Sequence, residues 1–142
     1  MNTVARVSLT FVFLQCVAST VAWACKCASD ETTPEAHLAD HERVFVGEVL
    51  DGPHARGCGF VQSSVDPVTY TLAVTEAFKG VAEGDEITLE TARDGASCGV
   101  TMEVGESRLV YTDDGSVGLC DPGGLAADNA EAIEALRAAT AR

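Results

Sequence analysis

The chain has 142 residues, and its 22 acidic side chains outnumber its nine basic ones, giving a formal net charge of −13 at pH 7. A surface with this excess of carboxylates repels phosphate backbones, so nucleic-acid binding is not expected. The length suits one compact domain built around one hydrophobic core. The composition therefore predicts an acidic single-domain protein.

The first 24 residues have the three parts of a secretory leader. A basic, acid-free start precedes a mostly apolar run over residues 7–18, and small residues then lead to Ala22-Trp23-Ala24. This ending fits the pattern that signal peptidase accepts. The apolar run is shorter than the roughly 20 residues of a membrane-spanning helix. We predict a signal peptide at residues 1–24, no membrane span, and one secreted domain at residues 25–142, either extracellular or periplasmic.

Cleavage after Ala24 would leave five cysteines in the exported chain. They are Cys25, Cys27, Cys58, Cys98 and Cys120. Export implies an oxidising compartment, in which disulfides are the default. Because the count is odd, one cysteine is free, intermolecular or modified, and the sequence alone leaves the connectivity open.

Two short helices are predicted, one near each end of the exported chain. Thr33 fits an N-cap and Pro34 the first helical position, which predicts a helix over residues 34–41 with Leu38 buried. A second helix is predicted over about residues 128–141, with Asp128 as its cap. Its apolar stripe consists of Ala130, Ile133, Leu136 and Ala139.

Short strands separated by turn signals are predicted between these helices. They cover residues 43–50, 67–79, 86–91, 108–112 and 116–120. The alternation of apolar and polar residues is clearest in 67–79, and Gly47 within the first strand suggests a bulge or bend. Residues 51–66 are predicted to form a long loop or an irregular hairpin that projects from the sheet. The pattern is typical of a mainly β domain, either a small closed barrel or a sandwich.

Several motifs occur in an order and spacing that resemble a known family. They are Cys25-Lys26-Cys27 behind the leader, the strand within 39–49, Phe78-Lys79-Gly80, Ser97-Cys98-Gly99 and the closing segment 105–120. Together they resemble the tissue inhibitors of metalloproteinases, which belong to the wider group of netrin-like modules. The resemblance covers residue 25 to about residue 120.

The resemblance implies a fold and a set of disulfides. The fold is an OB-type, five-stranded closed barrel with a short N-terminal helix and a C-terminal helix. The implied disulfides join Cys25 to Cys98 and Cys27 to Cys120, which leaves Cys58 unpaired. Both bridges would fasten the start of the exported chain to the barrel.

The resemblance also implies a function for Cys25-Lys26-Cys27 as an inhibitory ridge. In the family, the free α-amine and carbonyl of the first cysteine chelate the catalytic zinc of a metalloproteinase, at an open coordination position. Cys25 would be the chelating residue, Lys26 would enter the specificity pocket, and the 51–66 loop would be a further contact surface. An α-amine titrates near pH 7.7–8.0, so part of it is neutral at physiological pH. Lys26 stands where the animal inhibitors carry a small hydroxyl residue.

Two alternatives remain open at this stage. The domain could be an envelope or extracellular interaction module with no protease target, in which the two cysteines are only a structural staple. A lipid on Cys25 would leave the other four cysteines to form two bridges and would block the amine, although Ala22-Trp23-Ala24 fits a lipobox poorly.

Catalysis is not expected, and no cofactor or metal of the chain's own is predicted. His54 precedes Cys58 by four residues, but no third group is evident that would orient such a pair. His37 and His41 have the spacing of metal ligands on a helix, but the sequence shows no third ligand beside them.

Overall fold

A computed structural model describes residues 25–28, 32–55 and 66–141. The predicted leader, Cys58 and most of the 51–66 loop lie outside the described residues. The elements are α1 (Pro34–Asp40), β1 (Arg43–Ala55), β2 (Pro67–Lys79), β3 (Glu86–Ala92), a 3₁₀ turn (Gly95–Ser97), β4 (Ser107–Thr112), β5 (Gly123–Leu125) and α2 (Ala130–Thr140). None of the helices in these ranges is long and apolar enough to cross a membrane.

The five strands form one antiparallel sheet in the order β3-β2-β1-β4-β5. This confirms the prediction of a mainly β domain with a helix near each end. The ladders between the described strands leave β3 and β5 as edges, so hydrogen bonds do not close the sheet into a barrel. An isolated parallel bridge between Glu90 and Ser116 connects β3 to the segment that follows β4.

β1 is longer than predicted, because it continues through the start of the predicted loop to Ala55. His54 pairs with Thr69 of β2, so of the two predicted alternatives the structure shows the irregular hairpin over this part. Pairing with β4 ends at Glu48, and Val49 still exchanges backbone hydrogen bonds with Gly105 and Glu106. Beyond Val49, β1 pairs with β2 alone and is mostly exposed. A strand in this position tolerates polar residues and proline, which is why its composition resembles a loop. The irregularity predicted at Gly47 is confirmed by a register shift there.

The strand that pairs with β4 is β5, and not the predicted segment 116–120. Ser116 instead lies beside β3, where the N–H of Glu90 donates to the carbonyl of Gly115 at 2.8 Å and the N–H of Val117 donates to the carbonyl of Glu90 at 2.9 Å. A Cβ on Gly123 would lie 2.4 Å from the carbonyl oxygen of Leu109. Glycine therefore permits the close strand pairing where the sequence suggests a strand end.

Two apolar clusters form the core. The larger contains Phe45, Val49, Val68, Tyr70, Leu72, Val74, Leu89, Met102 and Val110. The smaller contains Val44, Val46, Leu109, Tyr111, Ile133 and Leu136. Neighbouring residues of β1 and β4 belong to different clusters because successive side chains of a strand point to opposite faces. The predicted inward face of β2 is confirmed by this burial.

The helices pack on the smaller cluster. Ile133 and Leu136 of α2 are buried, as predicted from the apolar stripe, whereas Ala130 is exposed. Leu38 of α1 is only partly buried. The N-cap of α2 is Asn129 rather than Asp128. The side-chain amide of Asn129 donates to the carbonyl of Leu125 at 2.9 Å, so this side chain fastens the helix to β5 and does not cap a helix N–H.

Charged groups of β2 hold both helices. The ammonium of Lys79 donates to the carbonyls of Leu38 and Ala39, at 2.8 and 2.9 Å, near the C-terminus of α1. A cation there satisfies terminal carbonyls and interacts favourably with the helix dipole. On α2, Arg137 donates to both carboxylate oxygens of Glu76, each at 2.7 Å.

The Glu76–Arg137 contact predicts a pH-dependent stability. The hydrogen bond from Arg137 lowers the pKa of Glu76 below its ordinary 4.5. A carboxyl group whose pKa is lower in the folded than in the unfolded state stabilises the folded protein at pH values above its unfolded pKa. This contribution is lost as the pH falls through the folded pKa. We expect Glu76→Gln to lower the free energy of unfolding at pH 7 by at most about 1 kcal/mol, because solvent screens this partly exposed pair.

The measurement is urea unfolding of the parent and Glu76→Gln at a series of pH values. The difference in unfolding free energy should shrink as the pH falls below 4.5. A difference that stays constant across the series would contradict the assignment.

Candidate functional site

The candidate site is the segment Cys25-Lys26-Cys27, which we call the ridge. One disulfide joins Cys25 to Cys98, with their Cα atoms 5.7 Å apart, and a second joins Cys27 to Cys120, with 5.2 Å between Cα atoms. These are the pairings that the resemblance implies. Lys26 is exposed between the two bonded cysteines, and Cys25 is partly buried. The ridge is therefore held at both ends.

The two loops that carry the partner cysteines are bonded to each other. The N–H of Leu119 donates to the carbonyl of Cys98 at 2.9 Å. The two disulfides and this hydrogen bond complete a ring of contacts that runs through the ridge, Cys120, Leu119 and Cys98. Lys26 lies on the opposite side of the ring from the hydrogen bond. The position of the ridge is thus fixed by two loops that are themselves joined.

The loop around Cys98 is ordered by hydrogen bonds on both sides of the cysteine. Asp94 caps the 3₁₀ turn, since its carboxylate accepts from the N–H of Ser97 at 3.0 Å, and its carbonyl accepts from Gly99 at 2.8 Å. Cys98 itself has a left-handed backbone with φ of 61°. Beyond it, the hydroxyl of the buried Thr91 accepts from the N–H of Val100 at 2.9 Å. These bonds hold an unfavourable backbone conformation in place.

The loop around Cys120 is a tight turn. The carboxylate of Asp121 accepts from the N–H of Gly118 at 2.6 Å, and the N–H of Asp121 donates back to the carbonyl of Gly118 at 3.3 Å. Next to the turn is an open cavity of about 350 Å³. Its lining includes the disulfide between Cys27 and Cys120 together with His37, Tyr111, Leu119 and Asn129. The ridge therefore borders a concave surface on this side.

The predicted histidine pair has a packing role. The rings of His37 and His41 lie 5.5 and 5.7 Å from the ring of Tyr111, measured between centroids. The Nδ1 atom of His41 lies 3.3 Å from a carboxylate oxygen of Asp113. Burial, and then the charge of Glu35, raise the pKa of Tyr111. Within residues 25–28, 32–55 and 66–141, no three metal-ligating side chains are grouped to hold an ion.

His54 is bonded within β1. Its Nε2 atom lies 2.8 Å from a carboxylate oxygen of Asp51. This hydrogen bond, followed by one from the N–H of Gly52, lowers the pKa of the Asp51 carboxyl group. Cys58 and residues 56–65 lie outside the described part of the chain, so the unpaired state of Cys58 and the contact surface predicted for the loop remain predictions.

The residues whose hydrogen bonds support the ridge were not predicted from the sequence. Asp94 precedes Ser97 by three positions, the spacing at which an aspartate side chain accepts from a turn N–H, and this local signal was available. The hydrogen bond between Leu119 and Cys98 has no sequence signal, because it joins two loops through backbone atoms. The hydrogen bond from the N–H of Val100 to the hydroxyl of Thr91 has no sequence signal either, because it joins a strand residue to a position nine residues later in the chain.

Comparison of the chain with protein-family models finds no match, and comparison with curated proteins finds none either. The geometry of the fold and of the ridge is therefore the basis for the function proposed below.

Proposed function

We propose that the exported chain is a non-catalytic domain that inhibits a zinc metalloproteinase through the ridge. In this proposal residues 1–24 are removed on export, and the free α-amine and carbonyl of Cys25 bind the catalytic zinc of the target. The observation that carries the proposal is the pair of disulfides that hold Cys25 and Cys27, with Lys26 exposed between them.

The chemistry of the ridge supports chelation. The amine nitrogen and carbonyl oxygen of one residue are separated by two carbons, so both can bind one metal ion in a five-membered ring. A catalytic zinc site keeps an open position for such ligands. The disulfide between Cys25 and Cys98 already restricts the chelating residue, which reduces the ordering that binding would otherwise require.

The same proposal includes an OB-type barrel. Its support is the strand order β3-β2-β1-β4-β5 together with the parallel bridge between Glu90 and Ser116. The bridge brings the segment between β4 and β5 against the edge strand β3. Two disulfides are compatible with a secreted protein, since disulfides persist in oxidising compartments.

The test blocks the α-amine and measures inhibition of a panel of zinc metalloproteinases. The protein is exported, its intact mass is used to verify that it starts at Cys25, and cyanate is applied near neutral pH. The α-amine then reacts before lysine, because lysine titrates near pH 10.4. The chain has only two lysines, Lys26 and Lys79, and a Lys26→Arg variant removes the exposed one.

We expect carbamylation of the α-amine to abolish inhibition in both the parent and Lys26→Arg, because a carbamylated nitrogen no longer donates a lone pair to zinc. The control is a mock-treated sample whose intact mass shows that the α-amine is still free. Inhibition that survives complete carbamylation would overturn the chelation mechanism and would favour a module in which the disulfides are only a staple.

A further inference from the structure

We infer that the target is a zinc metalloproteinase whose specificity pocket contains a carboxylate, so that it cleaves before basic residues. This inference rests on the proposed function, because it takes Lys26 as the side chain that enters the pocket next to the zinc. It adds the chemical class of the partner, which is identified from the charge and freedom of Lys26.

The ammonium of Lys26 is available to a partner. Its side chain is exposed, and among the described residues it has no ion pair and no hydrogen bond. The only other lysine, Lys79, differs in this respect, since two carbonyls of α1 accept its hydrogen bonds. Lys26 is therefore free of any role within the described fold.

The disulfides on both sides of Lys26 fix its place next to Cys25. Its neighbours Cys25 and Cys27 are both disulfide-bonded, so the backbone is restrained on both sides of Lys26. With Cys25 on the zinc, we take the side chain of Lys26 to be the one that enters the adjacent pocket. Its methylene stem can lie along apolar walls while the ammonium extends to the base.

An apolar pocket is a poor host for this side chain. Removing an ammonium from water without a partner is strongly unfavourable, and the loss is recovered only when an opposite charge and further hydrogen bonds meet it. A carboxylate at the base of the pocket supplies both. The partner therefore carries an acidic residue where an enzyme that cleaves before large apolar residues has an apolar one.

The charge of the whole chain limits where that carboxylate can be. The whole chain has a formal net charge of −13 and its acidic residues all follow the leader, so the exported domain is repelled by an enzyme with a generally acidic surface. The partner surface is thus neutral or basic, with its negative charge confined to the pocket.

The test uses two groups of zinc metalloproteinases, those with a pocket carboxylate and those with an apolar pocket. Each is assayed with the parent chain, Lys26→Arg and Lys26→Met. An enzyme of the first group is also assayed with its pocket carboxylate changed to the amide. We expect the parent to inhibit the first group and Lys26→Met to be weaker by roughly 30-fold or more, the effect of removing one partner of a buried charge pair. Lys26→Arg should keep most of the inhibition, because it keeps the charge.

The enzyme with the amide in its pocket should no longer distinguish the two chains. We expect the parent and Lys26→Met to inhibit it about equally. If the parent inhibits but prefers apolar-pocket enzymes, or if Lys26→Met matches it on carboxylate-pocket enzymes, the inference is overturned while zinc chelation by Cys25 stands. If the parent has a free Cys25 amine and neither it nor a Lys26 variant inhibits any enzyme of either group, the proposed function is overturned, and this inference with it.

Discussion

Replacing Cys27 and Cys120 by serine is expected to lower the free energy of unfolding by about 3 kcal/mol in the chain-entropy model, because the bridge between Cys25 and Cys98 stays in place and closes much of the same loop. The bridge closes a loop with a sequence separation of 93 residues, so its loss greatly enlarges the conformational freedom of the unfolded chain. Both cysteines are exposed in the folded protein, so the two serines stay in contact with water. The change therefore reports the loss of the cross-link with little contribution from buried polar groups.

Urea unfolding of the parent and the double variant measures this effect. The variant without the bridge between Cys25 and Cys98 is the companion, because its sequence separation of 73 residues predicts a similar loss. Removing both bridges should cost more than the sum of the two single losses, since either bridge alone already restricts most of the loop that the other closes. A loss below about 1 kcal/mol for either pair would show that the bridge does not constrain the unfolded chain in the way the entropy model assumes.

Gly99→Ala is expected to lower the free energy of unfolding by about 3 kcal/mol or more, in the range typical of strong steric conflict. A Cβ at this position would lie 1.9 Å from the carbonyl oxygen of Ala92 and 3.0 Å from that of Asp94. Ala92 cannot move away cheaply, because it pairs with Pro67 at the end of β3. The backbone next to Cys98 would have to shift, and the support of the ridge would shift with it.

Gly95→Ala is the matched control, since nothing lies within 4 Å of a Cβ built there and the residue does not have a positive φ. Both variants are compared by urea unfolding, after mass analysis has shown that all disulfides are formed. We expect Gly95→Ala to stay within about 0.5 kcal/mol of the parent. Equal stability of the two variants would contradict the close contact between Gly99 and Ala92.

The parts of the fold that the sequence predicts well are those with local periodicity. β2 matches its predicted bounds because its apolar residues alternate over the whole strand and one face is buried. The second half of β1 was missed because it is hydrogen-bonded on one side only and needs little apolar surface. β5 was missed because it is three residues long and two of them, Gly123 and Gly124, are glycines.

For the candidate site, the sequence indicates the ridge residues but not what holds them. Cys25 and Cys27 stand out by their place after the leader, and the resemblance implies their partners. The hydrogen bond from Leu119 to Cys98 joins loops about twenty positions apart through backbone atoms, and no residue type encodes such a contact. The closed barrel and the chelating role of the amine remain proposals that rest on this geometry.

The most direct test of zinc binding by Cys25 compares two forms of the chain that differ by one residue. One begins at Cys25 and the other retains Ala24, which converts the amine of Cys25 into a peptide N–H with no lone pair for zinc. Both should have the same two disulfides and the same stability in urea. We expect the form that begins at Cys25 to inhibit a metalloproteinase with a pocket carboxylate and the extended form to show no inhibition. Equal inhibition by the two forms would contradict zinc binding through the α-amine.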